Sequence, residues 1–197
     1  MSSTSPLDVV AIVGSLRRAS YTRALVNAFT PIAPPSLKIE IVGIGELPLY
    51  NEDLEADPPA AWKAFRERVS RADAVLFATP EYNRSIPGVL KNAIDIGSRP
   101  YGQNVWAGKP AAVISATPGA LGAFGANHHL RQTLVAVNMP TMPQPEAYIS
   151  GVDKVLDDSG RFVVPATREF FSGFLGSFEA WVRRLTTVDT RTAADQG

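Results

Sequence analysis

The chain has 197 residues, 45% of them apolar and 19% charged, and its 19 basic and 19 acidic residues give a formal net charge of zero. That length suits one well-filled domain, and the balanced charge, with no long block of either sign, excludes steering of the whole chain toward nucleic acid or an anionic membrane. The lack of cysteine excludes disulfides, thiolate metal sites and cysteine nucleophiles, and no stretch approaches the roughly 18 apolar residues of a membrane helix.

Residues 1–6, Met-Ser-Ser-Thr-Ser-Pro, lack the charged and apolar regions of a signal peptide, so the expected location is the cytoplasm. A first strand is predicted over 7–13, an apolar run that ends at Gly14. "GSLRRAS", 14–20, follows it and leads into a helix predicted from about Thr22 that carries Ala24, Leu25, Ala28 and Phe29 on one face. Gly14 permits a sharp turn. Ser15, Arg17, Ser20 and Thr22 then offer hydroxyl and guanidinium donors beside the free N–H groups of a helix start, the arrangement that binds a phosphate. The spacing is neither G-x-x-x-x-G-K-[ST] nor G-x-G-x-x-G, which disfavours an ATPase and an ordinary dinucleotide fold. The same residues also read as a plain capped helix, with Ser20 or Thr22 as N-cap and two solvated arginines. A kinase target at Ser20 is the weakest reading, because a loop packed at a strand end is poorly placed to enter a kinase cleft.

A second strand is predicted over 37–42 and a helix through Trp62, Phe65 and Val69, then a third strand over 73–79. "PEYNRSI" follows it, bounded by Pro80 and by Pro87-Gly88, which opens a helix carrying Val89, Leu90, Ala93 and Ile94. This loop holds more hydrogen-bonding groups than a turn requires. Tyr82 and Asn83 suit a flat heterocycle, with backbone N–H groups of residues 82 and 83 aimed at its edge, whereas Glu81 also reads as a surface carboxylate. A fourth strand over 111–115 leads into "SATPGALGAFG", 115–125, whose small residues allow close backbone approach to a planar ligand, or form a mere connector. A helix from about Ala126 carries Leu130, Leu134 and Val137, with His128 and His129 near its start; without spaced ligand partners these histidines do not read as a metal site. A weak strand at 146–149 and an apolar stripe from Phe170 to Leu185 on a helix over 167–186 complete the pattern, with a polar tail, 187–197, expected to be flexible like residues 1–6.

Strands alternating with helices argue for a parallel sheet covered on both faces. In such sheets ligands bind beyond the carboxyl ends of the strands, which singles out the loops after the first, third and fourth strands.

With "GSLRRASYTRAL", "LPLYNEDLE", "ADAVLFATPEYNRSIPGVLKNAID" and "GKPAAVISATPGALGA…HLRQTL" in view, residues 8 to 150 resemble the NADPH-dependent FMN reductase family, in particular its chromate and quinone reductase branch. The resemblance implies one flavodoxin-like α/β/α domain spanning 1–197, with five parallel strands in the order 2-1-3-4-5 and non-covalent FMN. It places Ser15, Arg17, Ser20 and, less closely, Thr22 on the FMN phosphate, Pro80, Glu81, Tyr82, Asn83 and Ser85 beside the isoalloxazine, and Ser115, Thr117 and Gly119 on its other side. It implies a ping-pong hydride transfer from NADPH or NADH through the flavin to a quinone, a chromate-like oxidant, another small acceptor or free flavin, in a homodimer or homotetramer. The family often has Asn at Thr22 and Arg at Gly125, next to a Phe124 that is new here, so the acceptor-side charge and contacts between subunits are open. Arg18 is left as a solvated charge or a contact for incoming NADPH. Two rivals stand beside this reading: an FMN electron carrier that does not oxidise NAD(P)H, which the neutral charge disfavours, and a regulatory domain that has lost the cofactor.

Overall fold

A computed structural model describes residues 5–194, with side chains through Thr186. Of the termini expected to be flexible, 1–6 and 187–197, residues 1–4 and 195–197 lie outside the described residues, whereas the backbone of 187–194 continues the last helix. The strands are β1 (Leu7–Val13), β2 (Leu37–Val42), β3 (Ala74–Thr79), β4 (Ala111–Ala116) and β5 (Ala147–Ile149). They form one parallel sheet in the order β2-β1-β3-β4-β5. The helices are α1 (Tyr21–Phe29), α2 (Ala60–Arg71), α3 (Gly88–Ser98), α4 (Phe124–Ala136) and α5 (Pro165–Ala194).

The two-residue period of a strand divides the core in two. Val9, Ala11 and Val13 of β1, with Leu76 of β3 and Ile114 of β4, pack under α1 and α5, where Phe29 and Phe171 stack at 5.0 Å. Val10 and Ile12, with Val75, Phe77 and Val113, pack under α2, α3 and α4. Trp106 is fully buried in this second layer, 5.9 Å from Phe77 and 6.0 Å from Phe65, and its indole N–H donates to the Ile94 carbonyl at 2.9 Å. Gly97 is what lets it in: a Cβ there would lie 2.3 Å from the indole nitrogen.

Arg66 of α2 closes the carboxyl end of α3, donating to the carbonyls of Ile96 and Gly97 in its last turn, where helix carbonyls lack intrahelical partners, and to those of Arg99 and Gln103 in the segment that follows. Asn92 of α3 performs a similar service for the segment after β2: it accepts from the Tyr50 N–H at 2.7 Å and donates to the Leu47 and Pro48 carbonyls.

The sequence misplaces some helix ends. α4 begins at Phe124 rather than near Ala126, because Ala123 takes a left-handed conformation (φ 57°) and turns the chain early. Val137 lies just past the end of α4 and packs on the core from there. α5 extends from Pro165 through Ala194, beyond both ends of the 167–186 stripe. No helix among the described residues is long and apolar enough to cross a membrane.

Candidate functional site

The register aligns Val13 with Ala78 and Thr79 with Ser115, so the loops after β1, β3 and β4 leave the sheet side by side. Gly14 is pinned by its N–H to the Ala78 carbonyl at 2.9 Å, and a Cβ there would meet Leu90 at 3.1 Å and Pro80 at 3.4 Å. That close approach is why the first loop turns at a glycine.

Ser20 is the N-cap of α1: its backbone is extended and its hydroxyl accepts from the Arg23 N–H at 3.2 Å. Thr22 is not the cap. Its hydroxyl lies 3.0 Å from that of Ser20, and both side chains are buried. Ser15 is buried as well, whereas Arg17 is exposed, has no ion pair among the described residues, and rests its guanidinium 5.6 Å from the centre of the Tyr21 ring.

The second loop is a tight hairpin. Tyr82 and Ser85 exchange both backbone hydrogen bonds, at 2.9 and 3.0 Å, and Asn83 and Arg84 between them have φ of 51° and 66°, the left-handed pair that a two-residue turn demands. An arginine held there costs about 1–3 kcal/mol of backbone strain. The Tyr82 N–H is thereby committed to the Ser85 carbonyl, which corrects the expectation that it faces a ligand; the Asn83 N–H at the tip has no partner among the described residues.

Glu81 is no plain surface carboxylate. Its side chain is only 12% exposed, and it accepts from the Ala126 N–H at 3.0 Å and pairs with Arg84 at 3.0 Å. The cap that Ala123 cannot give α4 thus comes from a loop more than 40 residues earlier. Gly125 makes room for it, since a Cβ there would lie 3.0 Å from the Glu81 carboxylate. Ser85 completes the attachment through a 2.7 Å hydrogen bond between its hydroxyl and His129 Nδ1.

In the third loop, Thr117 accepts from the Gly119 N–H at 3.2 Å. Ser115 departs from expectation. It is fully buried, donates to the Gly122 carbonyl at 2.7 Å and accepts from the Asn127 amide at 3.1 Å, so its hydroxyl braces the loop from beneath and does not line the site. Gly122 (φ 58°) lies against Tyr148, leaving no space for a Cβ, which would fall 2.7 Å from the tyrosine's own. The Tyr148 hydroxyl donates to Glu146 at 2.8 Å and so accepts from His128 Nε2 at 3.0 Å; burial, and then the Glu146 bond, push it up to about 12. Phe124 packs on His128 at 4.0 Å while leaving half its surface exposed.

Between the three loops lies a cleft of about 150 Å³. Ser15, Arg17, Tyr21 and Thr22 line it from the first loop, Pro80, Glu81 and Tyr82 from the second, and Ala116, Thr117 and Pro118 from the third. Ser20, Asn83, Ser85 and Gly119 stand around it without lining it. Sequence reasoning passed over Tyr21 and Pro118 on its wall and Asn127 beneath it; the signal for Tyr21 was an aromatic residue directly after the N-cap.

The family described as NADPH-dependent FMN reductase matches residues 7–154. A quinone reductase of Pseudomonas putida is 58% identical over 177 residues, covering 89% of this chain and 95% of the relative. A 2-hydroxy-1,4-benzoquinone reductase of a Burkholderia species is 44% identical, covering 90% and 97%. Among solved structures, the flavoenzyme NAD(P)H:(acceptor) oxidoreductase FerB of Paracoccus denitrificans superposes with a TM-score of 0.86 at 42% identity, covering 90% of this chain and 98% of FerB. With a matching family that spans most of the chain and relatives this similar along nearly their whole lengths, this flavodoxin-like chain belongs to the NADPH-dependent FMN reductase family.

Proposed function

We propose that the chain is an NAD(P)H-dependent, FMN-containing oxidoreductase that reduces quinones. The observation that carries this reading is the convergence of three loops on one cleft at the carboxyl end of the sheet, with an unpaired arginine at its rim, in a chain whose relatives include quinone reductases. The donor set fits FMN. Arg17, Ser15, Thr22 and the free N–H groups of the first turn of α1 suit a phosphate, with Ser20 holding that turn in place. Pro80, Glu81, Tyr82, Asn83 and Ser85 are assigned to one side of the isoalloxazine, and Thr117 and Gly119 to the other, with Ser115 acting from below.

FMN, when bound, supplies the electron-transfer chemistry between NADPH or NADH and the acceptor. The protein's part is position and charge. The Asn83 N–H, displayed at the tip of a strained hairpin, is a preorganised donor for negative charge on a reduced ring. The acceptor is a small molecule. A homodimer or homotetramer at a cytoplasmic location belongs to the same reading: a cleft of 150 Å³ is smaller than the ~300–1,000 Å³ of small-molecule sites, and exposed Leu16, Tyr82, Leu121 and Phe124 near its rim suit cover from a second copy.

Purified protein titrated with NADPH without oxygen, and then with benzoquinone, tests the function. A yellow protein bleached by NADPH and recoloured by the quinone is the expected result. A yellow protein that NADPH leaves unbleached would instead be an electron carrier, and a colourless one that FMN does not reconstitute would refute the cofactor assignment.

A further inference from the structure

The cleft that holds Arg17 is not the larger one at this end of the fold. Across the Arg17–Tyr21 segment, a cleft of about 370 Å³ opens between α1 and residues 152–160, which lead from β5 toward α5. Tyr21 lines both clefts, so they share a rim. The volume falls within the ~300–1,000 Å³ of small-molecule sites.

One wall carries Arg18 and Arg23, neither of which has an ion pair or a side-chain hydrogen bond among the described residues. Other arginines of the fold are engaged: Arg66 on carbonyls, Arg68 on Asp8 and Glu40, Arg99 on Glu52 and Glu55. The opposite wall carries Asp153, Asp157 and Asp158. Asp157 is consumed by its own turn, where it accepts from the Ser159 N–H and hydroxyl and from the Arg161 N–H and guanidinium. Asp153 and Asp158 have no such partners among the described residues.

A cleft with free guanidinium groups on one wall and free carboxylates on the other selects neither a simple polyanion nor a simple cation. It suits a ligand that carries both a phosphate and several hydroxyl or amino donors, the combination found at the ribose end of a nucleotide, where carboxylates take ribose hydroxyls and arginines take an added phosphate. We propose that this cleft holds the adenosine end of the nicotinamide substrate, with Arg18 and Arg23 on the 2′-phosphate of NADPH and Asp153 and Asp158 accepting from sugar and base. The consequence is a preference for NADPH over NADH that resides in α1 and the β5–α5 connection, outside the flavin cleft. The inference rests on the reading of the first cleft as the FMN site.

The test compares the parent protein with R18A/R23A and R18K/R23K. It uses the KM for NADPH and for NADH at saturating benzoquinone, calorimetric binding of 2′,5′-ADP, and the FMN content of each preparation. The alanine pair should keep its FMN, raise the ratio of the NADPH KM to the NADH KM roughly tenfold and weaken 2′,5′-ADP binding by a similar factor, while the lysine pair recovers most of both, since lysine binds phosphate as a point charge. An FMN-loaded alanine pair whose ratio and 2′,5′-ADP affinity stay within about twofold of the parent would overturn this inference while leaving the proposed function intact. A parent that holds no FMN, or that oxidises neither nucleotide, would overturn both.

Discussion

Replacing Arg17 with alanine isolates the phosphate end of the flavin cleft. The side chain makes no hydrogen bond or ion pair with other described residues beyond its approach to the Tyr21 ring at 5.6 Å, so the substitution should leave folding intact and act on the ligand alone. A hydrogen bond to a charged group contributes about 1.5–3 kcal/mol, and the exposure of Arg17 argues against counting the two arms of a fork separately. At about 1.4 kcal/mol per factor of ten, the dissociation constant for FMN should rise about 10- to 100-fold. Quenching of flavin fluorescence on titrating FMN with apoprotein measures it directly, with K63A on the far side of the fold as a charge-matched control and circular dichroism as the check on folding. Raising the salt should weaken the parent more than R17A, because the lost contact is ionic and solvent-exposed. An R17A protein that binds FMN within about threefold of the parent, with the same salt dependence, would sink the phosphate assignment.

Three further outcomes are expected. The Gly97→Ala protein should lose about 1–3 kcal/mol of stability, since its new methyl group meets the buried ring of Trp106; thermal unfolding followed by tryptophan fluorescence reads this, and an unchanged midpoint would contradict the packing. Glu81→Ala should cost about 1–2 kcal/mol by uncapping α4, whereas Glu81→Gln, which keeps an acceptor and loses only a pair with a largely exposed Arg84, should cost less than about 0.5 kcal/mol; equal losses in chemical denaturation would refute the cap. Asp157 is held down to about 2 by the Ser159 hydroxyl first and then by the Arg161 N–H. A carboxylate depressed in the folded state stabilises it above the ordinary value of 3.8 and loses that contribution as pH falls toward 2. Asp157→Asn should therefore flatten the stability profile between those limits, and an acid limb parallel to the parent's would count against it.

The element order was legible because β1, β3 and β4 are buried along nearly their whole length and read as apolar runs, and the helices show their stripes. The edge strand β2 still alternates Leu37, Ile39 and Ile41 toward the core with exposed Lys38 and Glu40. What the sequence hid was any partnership between distant residues. The start of α4 was misplaced because its cap comes from Glu81 and not from a neighbour. The motif 47–55 stood apart from the loops until Asn92, inside the motif 72–95, was seen to hold its backbone at three points. Ser115 was a different kind of miss, and an avoidable one. It has the same parity on β4 as Ala111 and Val113, which face the α4 layer, so the strand period alone pointed its hydroxyl toward Asn127 and away from the cleft.

These misses share a physical basis. The residues assigned to ligands, Arg17 above all, carry free hydrogen-bonding capacity, and local sequence shows such capacity plainly as polar residues at a sheet edge. The residues that fix the loops have spent theirs: Glu81 on α4, Ser115 on Gly122, Asn92 on the 47–50 backbone, Ser20 on its own helix. A ligand that finds its donors already aimed is spared the entropy of ordering them, so the affinity of the cleft depends on bonds made away from it. It follows that Glu81→Ala, although Glu81 lines the cleft, should weaken FMN through mobility of the 80–86 hairpin, with a loss that is largely entropic in calorimetry, whereas R17A should show its loss in enthalpy. Matching signatures for the two variants would mean that the loops are not held in the way these hydrogen bonds describe.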